Sequence, residues 1–175
     1  MTPEEKLRAL GLELPPAPKP VGAYVPAVRS GNLIFVSGQL PMKDGELMTL
    51  GHVGGPSTTL GAALSLSKGG EVTMEEAQDC ARQAVLNALA VVAAEIGGIE
   101  NVARIVRVTG YVASAPGFTD QVKVLNAASE LLADVFGEAG RHSRIAVGAV
   151  ELPLGAPVEL EMVIECMAPG VFTGG

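Results

Sequence analysis

Residues 141–166, RHSRIAVGAVELPLGAPVELEMVIEC, gather the side chains of this chain that could do chemistry. Arg144 is followed on its own face of an extended chain by Ala146 and Gly148, so nothing bulky would crowd its guanidinium. That group stays protonated at any physiological pH, and its planar fork matches a carboxylate with two parallel hydrogen bonds. In the second half, Glu159, Glu161 and Glu165 share one face with Val163, while Val158, Leu160, Met162, Ile164 and Cys166 share the other. A carboxylate so placed can hold a water molecule and exchange protons with it. The short Pro/Gly connection predicts that the two strands pair as neighbours, with Arg144 and one glutamate bordering a common cleft. The competing reading is a solvated sheet face whose Arg–Glu pair is a modest surface ion pair, and from pattern alone that is the commoner case.

Other candidates are weaker. His52 and His142 are far apart, with no ligand spacing such as HxxxH, so no metal site is expected. Ser37 lies in SGQ rather than a GxSxG elbow, and GHVGGPSTTLGAALSLSKGG matches neither a phosphate-binding loop nor a dinucleotide fingerprint. Cys80 and Cys166 stand in apolar surroundings and read as buried free thiols of a reduced, cytoplasmic protein. A net charge of −7, with Lys and Arg scattered, argues against a nucleic-acid partner. No apolar run reaches the roughly 18 residues of a membrane helix, and the charged N-terminus lacks a signal peptide's apolar centre.

The elements that must position these groups are readable in outline. At 175 residues the chain is one domain by length, and with 3% aromatics and no Trp its core must be built from Ala, Val, Leu and Ile. TPEEKLRALG predicts a helix capped by Thr2 and ended by Gly11, followed by an extended Pro-rich lead-in to residue 21. LIFVS predicts a strand; GELMTLGHVGG another, closing a hairpin at Asp44-Gly45. Residues 54–72 read as a flexible insertion. Thr73 and Glu76 form a capping box opening a long helix that Gly97-Gly98 stop. NVARIVRVTGYVAS predicts a strand. FTDQVKVLNAASELLADVFG predicts a second helix with an apolar stripe of Val122, Leu125, Leu132 and Val135. In RIAVGAVEL, Ile145, Val147 and Ala149 are expected to pack under the helices, and Arg144, Ala146, Gly148 and Val150 to face away. Residues 169–175 read as a tail. The order implies an α+β fold, a mostly antiparallel sheet with two main helices on one face. The other face must meet solvent or another subunit.

With these residues in view, the chain resembles the RidA/YjgF family of imine deaminases, once labelled endoribonucleases, from Gly22 to about Ala168. VGAYVPAVRSGNLIFVSGQLP is similar to the family's opening segment, and HSRIAVGAVELPLGAPVELE to its closing signature of an arginine, a downstream LP and a VExE strand. The extra length around GGPSTTLGAALSLSKGG implies a longer-loop subgroup. The resemblance implies a chorismate-mutase-like fold and a homotrimer, its sheets forming an inner barrel with sites in the clefts between subunits. It implies hydrolysis of 2-imino or enamine acids to 2-oxo acids and ammonium, with no metal or organic cofactor. Arg144 would grip the substrate carboxylate and Glu161 position the attacking water, with Tyr24, Ser37, Gly38 and Asn126 lining the pocket. Ala146 stands where many members carry cysteine, leaving only its backbone N–H to offer, and Ser129 where some carry tyrosine. The alternative is a trimer that binds 2-oxo-acid-like molecules in the same cleft without turnover. Ribonuclease activity is disfavoured by the acidic chain, which has no paired histidines or basic groove.

Overall fold

A computed structural model of the chain describes residues 1–17, 23–54 and 70–167. Within them the chain order is α1 (Pro3–Ala9), β1 (Ala27–Ser30), β2 (Leu33–Gln39), β3 (Met42–Lys43), β4 (Glu46–Leu47), β5 (Gly51–Val53), β6 (Gly70–Val72), α2 (Met74–Ile96), β7 (Val102–Ala113), α3 (Gln121–Phe136), β8 (Ser143–Ala149) and β9 (Val158–Cys166). The main sheet runs β1-β2-β9-β7-β8, antiparallel throughout except for the parallel β7–β8 pair. The α+β fold with a mostly antiparallel sheet is as expected.

Local chemistry accounts for the helices. At α1 and α2 the capping residue (Thr2, Thr73) and the glutamate three residues on (Glu5, Glu76) satisfy each other's backbone N–H. α2 ends at Gly97. Both long helices lie on one face of the sheet, α2 over β2 and β9 and α3 over β7 and β8. Between them and the sheet Leu89, Leu125, Leu132, Leu160, Met162 and Ile164 are fully buried among alanines and valines. In place of aromatic bulk the core uses close approach. A Cβ on Gly110 of β7 would overlap the Leu125 side chain, so α3 sits tight on the sheet only because Gly110 has none.

Three expectations are corrected. The Val122 side chain is not in the apolar stripe but 53% exposed; the buried face of α3 is Val124, Leu125, Ala127, Ala128, Leu131, Leu132 and Val135, rotated toward the adjoining α2. The strands on either side of the Pro/Gly connection are not neighbours, because β7 lies between them. A crossover through α3 sets β8 parallel to β7, and the turn at Pro153–Gly155 then carries the chain to β9 on β7's other side. The faces of β8 are also exchanged. Arg144 is paired with Val108 and looks toward α3, and Ala146 packs against the core, whereas Ile145 and Val147 are about 40% exposed on the open face. Polar groups on α3, not apolar area, decide which way this edge strand faces.

The Asp44-Gly45 turn joins β3 to β4, and the strand expected after it is broken into β4 and β5. β5 pairs in parallel with β6, so the end of the span read as an insertion is strand; residues 55–69 of that span lie outside the described residues, as do 18–22 of the lead-in and the 169–175 tail. Cys80 and Cys166 are free and buried, and burial, with Asp79 and Glu76 nearby, pushes the Cys80 thiol up to about 12.

One buried side chain ties α2 to the segment leaving β2. Asn87, 2% exposed, donates from Nδ2 to the carbonyls of Leu40 (2.8 Å) and Met42 (3.0 Å) and accepts from Gln83 (3.0 Å). Asn87→Ala removes this buried amide and its bonds to both carbonyls, and is expected to destabilise the fold by about 2 kcal/mol. Urea unfolding of the two proteins checks this.

Candidate functional site

Arg144 stands at the β8 edge of the sheet, beneath α3. Its Nη1 donates to Ser129 Oγ (2.9 Å), and its Nη2 to Asn126 Oδ1 (3.0 Å) and, at 3.5 Å, to the Val122 carbonyl. Asn126 and Ser129 are three residues apart on one helix face, which aims both at the same guanidinium. Burial lowers the Arg144 pKa, but a guanidinium remains charged. No carboxylate pairs with it among the described residues, and its Nε–H has no partner there. An open groove of about 520 Å³, whose lining includes Asn126, Ser129, His142 and Arg144, adjoins it. The arrangement is a cation held rigidly with part of its hydrogen-bonding capacity unspent, which suits a small anionic ligand.

His142, two residues earlier on β8's approach, joins the same network. Its Nδ1 lies 2.6 Å from the Gly140 carbonyl and its Nε2 3.0 Å from Ser129 Oγ. Burial, reinforced by the Arg144 charge and opposed by the Gly140 hydrogen bond, holds this imidazole below the usual histidine value.

The remaining candidates form a second cluster. Gly38 sits in a β-bulge where the β2–β9 register shifts, and a Cβ there would overlap the Glu159 carboxylate. Ser37 Oγ donates to the Val25 carbonyl (2.7 Å), fastening the segment that carries Tyr24. Tyr24 is 47% exposed. Glu159 is half-buried against the bulge, and desolvation, with the charge of Glu161 adding, raises its pKa. Glu161, the expected water-positioning residue, is exposed on the same open face.

These clusters do not meet within one chain. Register pairs Arg144 with Val108 and Met162, on the helix face, but Glu161 with Thr109 and Ile145, on the open face. Two strand spacings, about 10 Å, separate β8 from β9 as well. The single cleft expected between Arg144 and a glutamate is therefore absent from the subunit. Three residues of these clusters were named from the sequence without the role their geometry suggests. Glu159 is indistinguishable from Glu161 by alternation, and only the bulge at Gly38 singles it out. His142 is invisible to a search for metal spacing, although its place two residues before Arg144 puts both on one strand face. Ser129 was named only as a position where some members of the resembled family carry tyrosine, and its bond to Arg144 shows once α3 is seen over β8. Among the described residues, no three His, Cys, Asp or Glu side chains gather to hold a metal ion, and no helix is long and apolar enough to cross a membrane.

Comparison with known proteins agrees with this architecture. Residues 4–165 match the model of the family described as "YjgF/chorismate mutase-like, putative endoribonuclease". Protein TCP17 of Trypanosoma cruzi is 41% identical over 161 residues, covering 91% of each chain. Among solved structures, Atu1372 of Agrobacterium tumefaciens, of unknown function, superposes with a TM-score of 0.80 at 39% identity over 94% of this chain and 92% of its own. The YjgF gene product of E. coli gives 0.56 at 26% identity over 85% and 92%.

The raised Glu159 pKa has a consequence for stability. The folded state disfavours the ionised carboxyl, so it carries a penalty above the folded pKa that vanishes below the unfolded value, about 4.3. Glu159→Gln should therefore melt at a higher temperature than the natural protein at pH 8, with the difference gone near pH 3.5. Thermal melts across that range measure it.

Proposed function

The chain belongs to the YjgF/chorismate-mutase-like family, and from that premise we propose that it hydrolyses reactive 2-imino or enamine acids to 2-oxo acids and ammonium. The observation that carries this reading is Arg144, a fixed guanidinium with unspent donors beside an open groove. A carboxylate gripped there has its neighbouring C=N carbon placed for attack, an orientation effect. Water adds to that carbon, the C–N bond breaks, and the nitrogen leaves as ammonium. The proton taken from water can return to the departing nitrogen through a carboxyl group, and a raised pKa suits a group that must both accept and give. Glu159 has that property; Glu161, the residue implied by resemblance, adjoins it on the same face.

The two clusters are proposed to meet across a subunit interface, Arg144, Asn126, Ser129 and Ala146 from one copy and Tyr24, Ser37, Gly38, Glu159 and Glu161 from the next. Support comes from the sheet face away from the helices. There Val28 and Phe35 toward one edge and Ile145 and Val147 at the other are each at least 40% exposed, apolar side chains at both sides of a face that no helix covers. A homotrimer with its sheets turned inward would cover that face and complete three sites.

Arg144→Ala is expected to lower imine hydrolysis by at least about a hundredfold without changing the assembly, and Arg144→Lys to recover little, since an ammonium lacks the planar fork. Release of 2-oxo acid measured beside the spontaneous rate, with sizing chromatography, tests both. Undiminished turnover in the alanine variant would reject the assignment. Binding of 2-oxobutanoate with no hydrolysis above background would instead mark a regulatory binder, the reading favoured by Ala146 in place of a thiol.

A further inference from the structure

The bonds around Ser129 can be ordered by counting protons. A serine hydroxyl has one proton and two acceptor lone pairs. Arg144 has no acceptor, so in its 2.9 Å contact with Ser129 the serine oxygen must accept. The serine proton is thereby free for His142 Nε2 at 3.0 Å, provided that nitrogen is bare. The other contact makes it so. The Gly140 carbonyl can only accept, so the 2.6 Å bond puts the imidazole proton on Nδ1. The chain of donation then runs Arg144 to Ser129 to His142 to Gly140 without conflict. Burial and the neighbouring guanidinium both favour the neutral ring this order requires.

We infer that His142 is a positioning residue: as the neutral Nδ1–H tautomer it takes the Ser129 proton, turns a serine lone pair toward Arg144, and so fixes the orientation of the guanidinium that receives the ligand carboxylate. The inference rests on the reading of Arg144 as carboxylate anchor, and the role it assigns to His142 is exercised through Ser129. With His142 gone, the Ser129 proton can swing to other acceptors, and Arg144 loses one of the two side chains that hold it.

Titration with 2-oxobutanoate, followed by calorimetry, tests this. His142→Leu and Ser129→Ala are each expected to weaken binding about tenfold, the value of one charge-assisted hydrogen bond. If His142 acts through Ser129, the double variant binds no more weakly than Ser129→Ala alone. His142→Gln, whose side-chain oxygen can accept the serine proton, should restore most of the affinity. A second readout is nitrogen-15 NMR of the arginine side chains: the Arg144 guanidinium should rotate slowly in the natural protein and in His142→Gln, and freely in His142→Leu. This spectrum stands apart from catalysis. If Arg144→Ala binds 2-oxobutanoate as well as the natural protein, the anchor reading fails, yet the NMR still decides whether His142 orders Arg144. Natural affinity and unchanged Arg144 signals in His142→Leu, or additive losses in the double variant, would overturn the inference.

Discussion

The hold of α3 on Arg144 is the interaction on which the rest of the site depends. A long, flexible cation at a sheet edge would ordinarily sample many rotamers in water, at a cost of up to about 2 kcal/mol to order. Here Asn126 and Ser129 grip both terminal nitrogens from one helix face, and that grip also sets which side of β8 looks inward. α3 can reach down to the strand because the sheet beneath it is shallow. Gly110 admits Leu125 at the closest point, and Ala146 adds little height beside Arg144.

The opposite cluster follows a comparable logic with the sign of charge reversed. The bulge at Ser37–Gly38 opens space for the Glu159 carboxyl, and the buried amide of Asn87 secures the chain just beyond it. A half-desolvated acid beside a second glutamate is an unfavourable arrangement for the isolated subunit. Proteins retain such arrangements where the group has work to do, and perturbed carboxyls concentrate at functional sites for that reason. A cationic cluster on the helix face and an acidic one on the open face give the subunit two unlike surfaces. An assembly that brings them together would satisfy the charge and cover exposed apolar residues of the open face.

Much of this was legible in the chain. The Thr2 cap, the Thr73–Glu76 capping box, the Asp44-Gly45 hairpin, the Gly97 stop and the alternation of β9 are local signals, each contained in a few neighbouring residues, and each appears where it was expected. Arg144 was legible as a ligand-binding candidate because arginine's chemistry does not depend on its surroundings. That Asn126 and Ser129 would grip it was not, since nothing in residues 126–129 tells which strand the helix will cover.

The residue order alone settled the element types, the α+β class and the identity of the charged groups, because propensity, capping and periodicity act over a few residues. Strand order, the facing of β8 and the choice of Glu159 over Glu161 as the half-buried acid came only with the assembled fold. Those depend on contacts between segments distant in the chain: β7 inserted between β8 and β9, a helix offering hydrogen bonds rather than apolar area, and one bulge leaving room for a carboxyl. Alternation says that two faces exist; only packing says which one each residue meets.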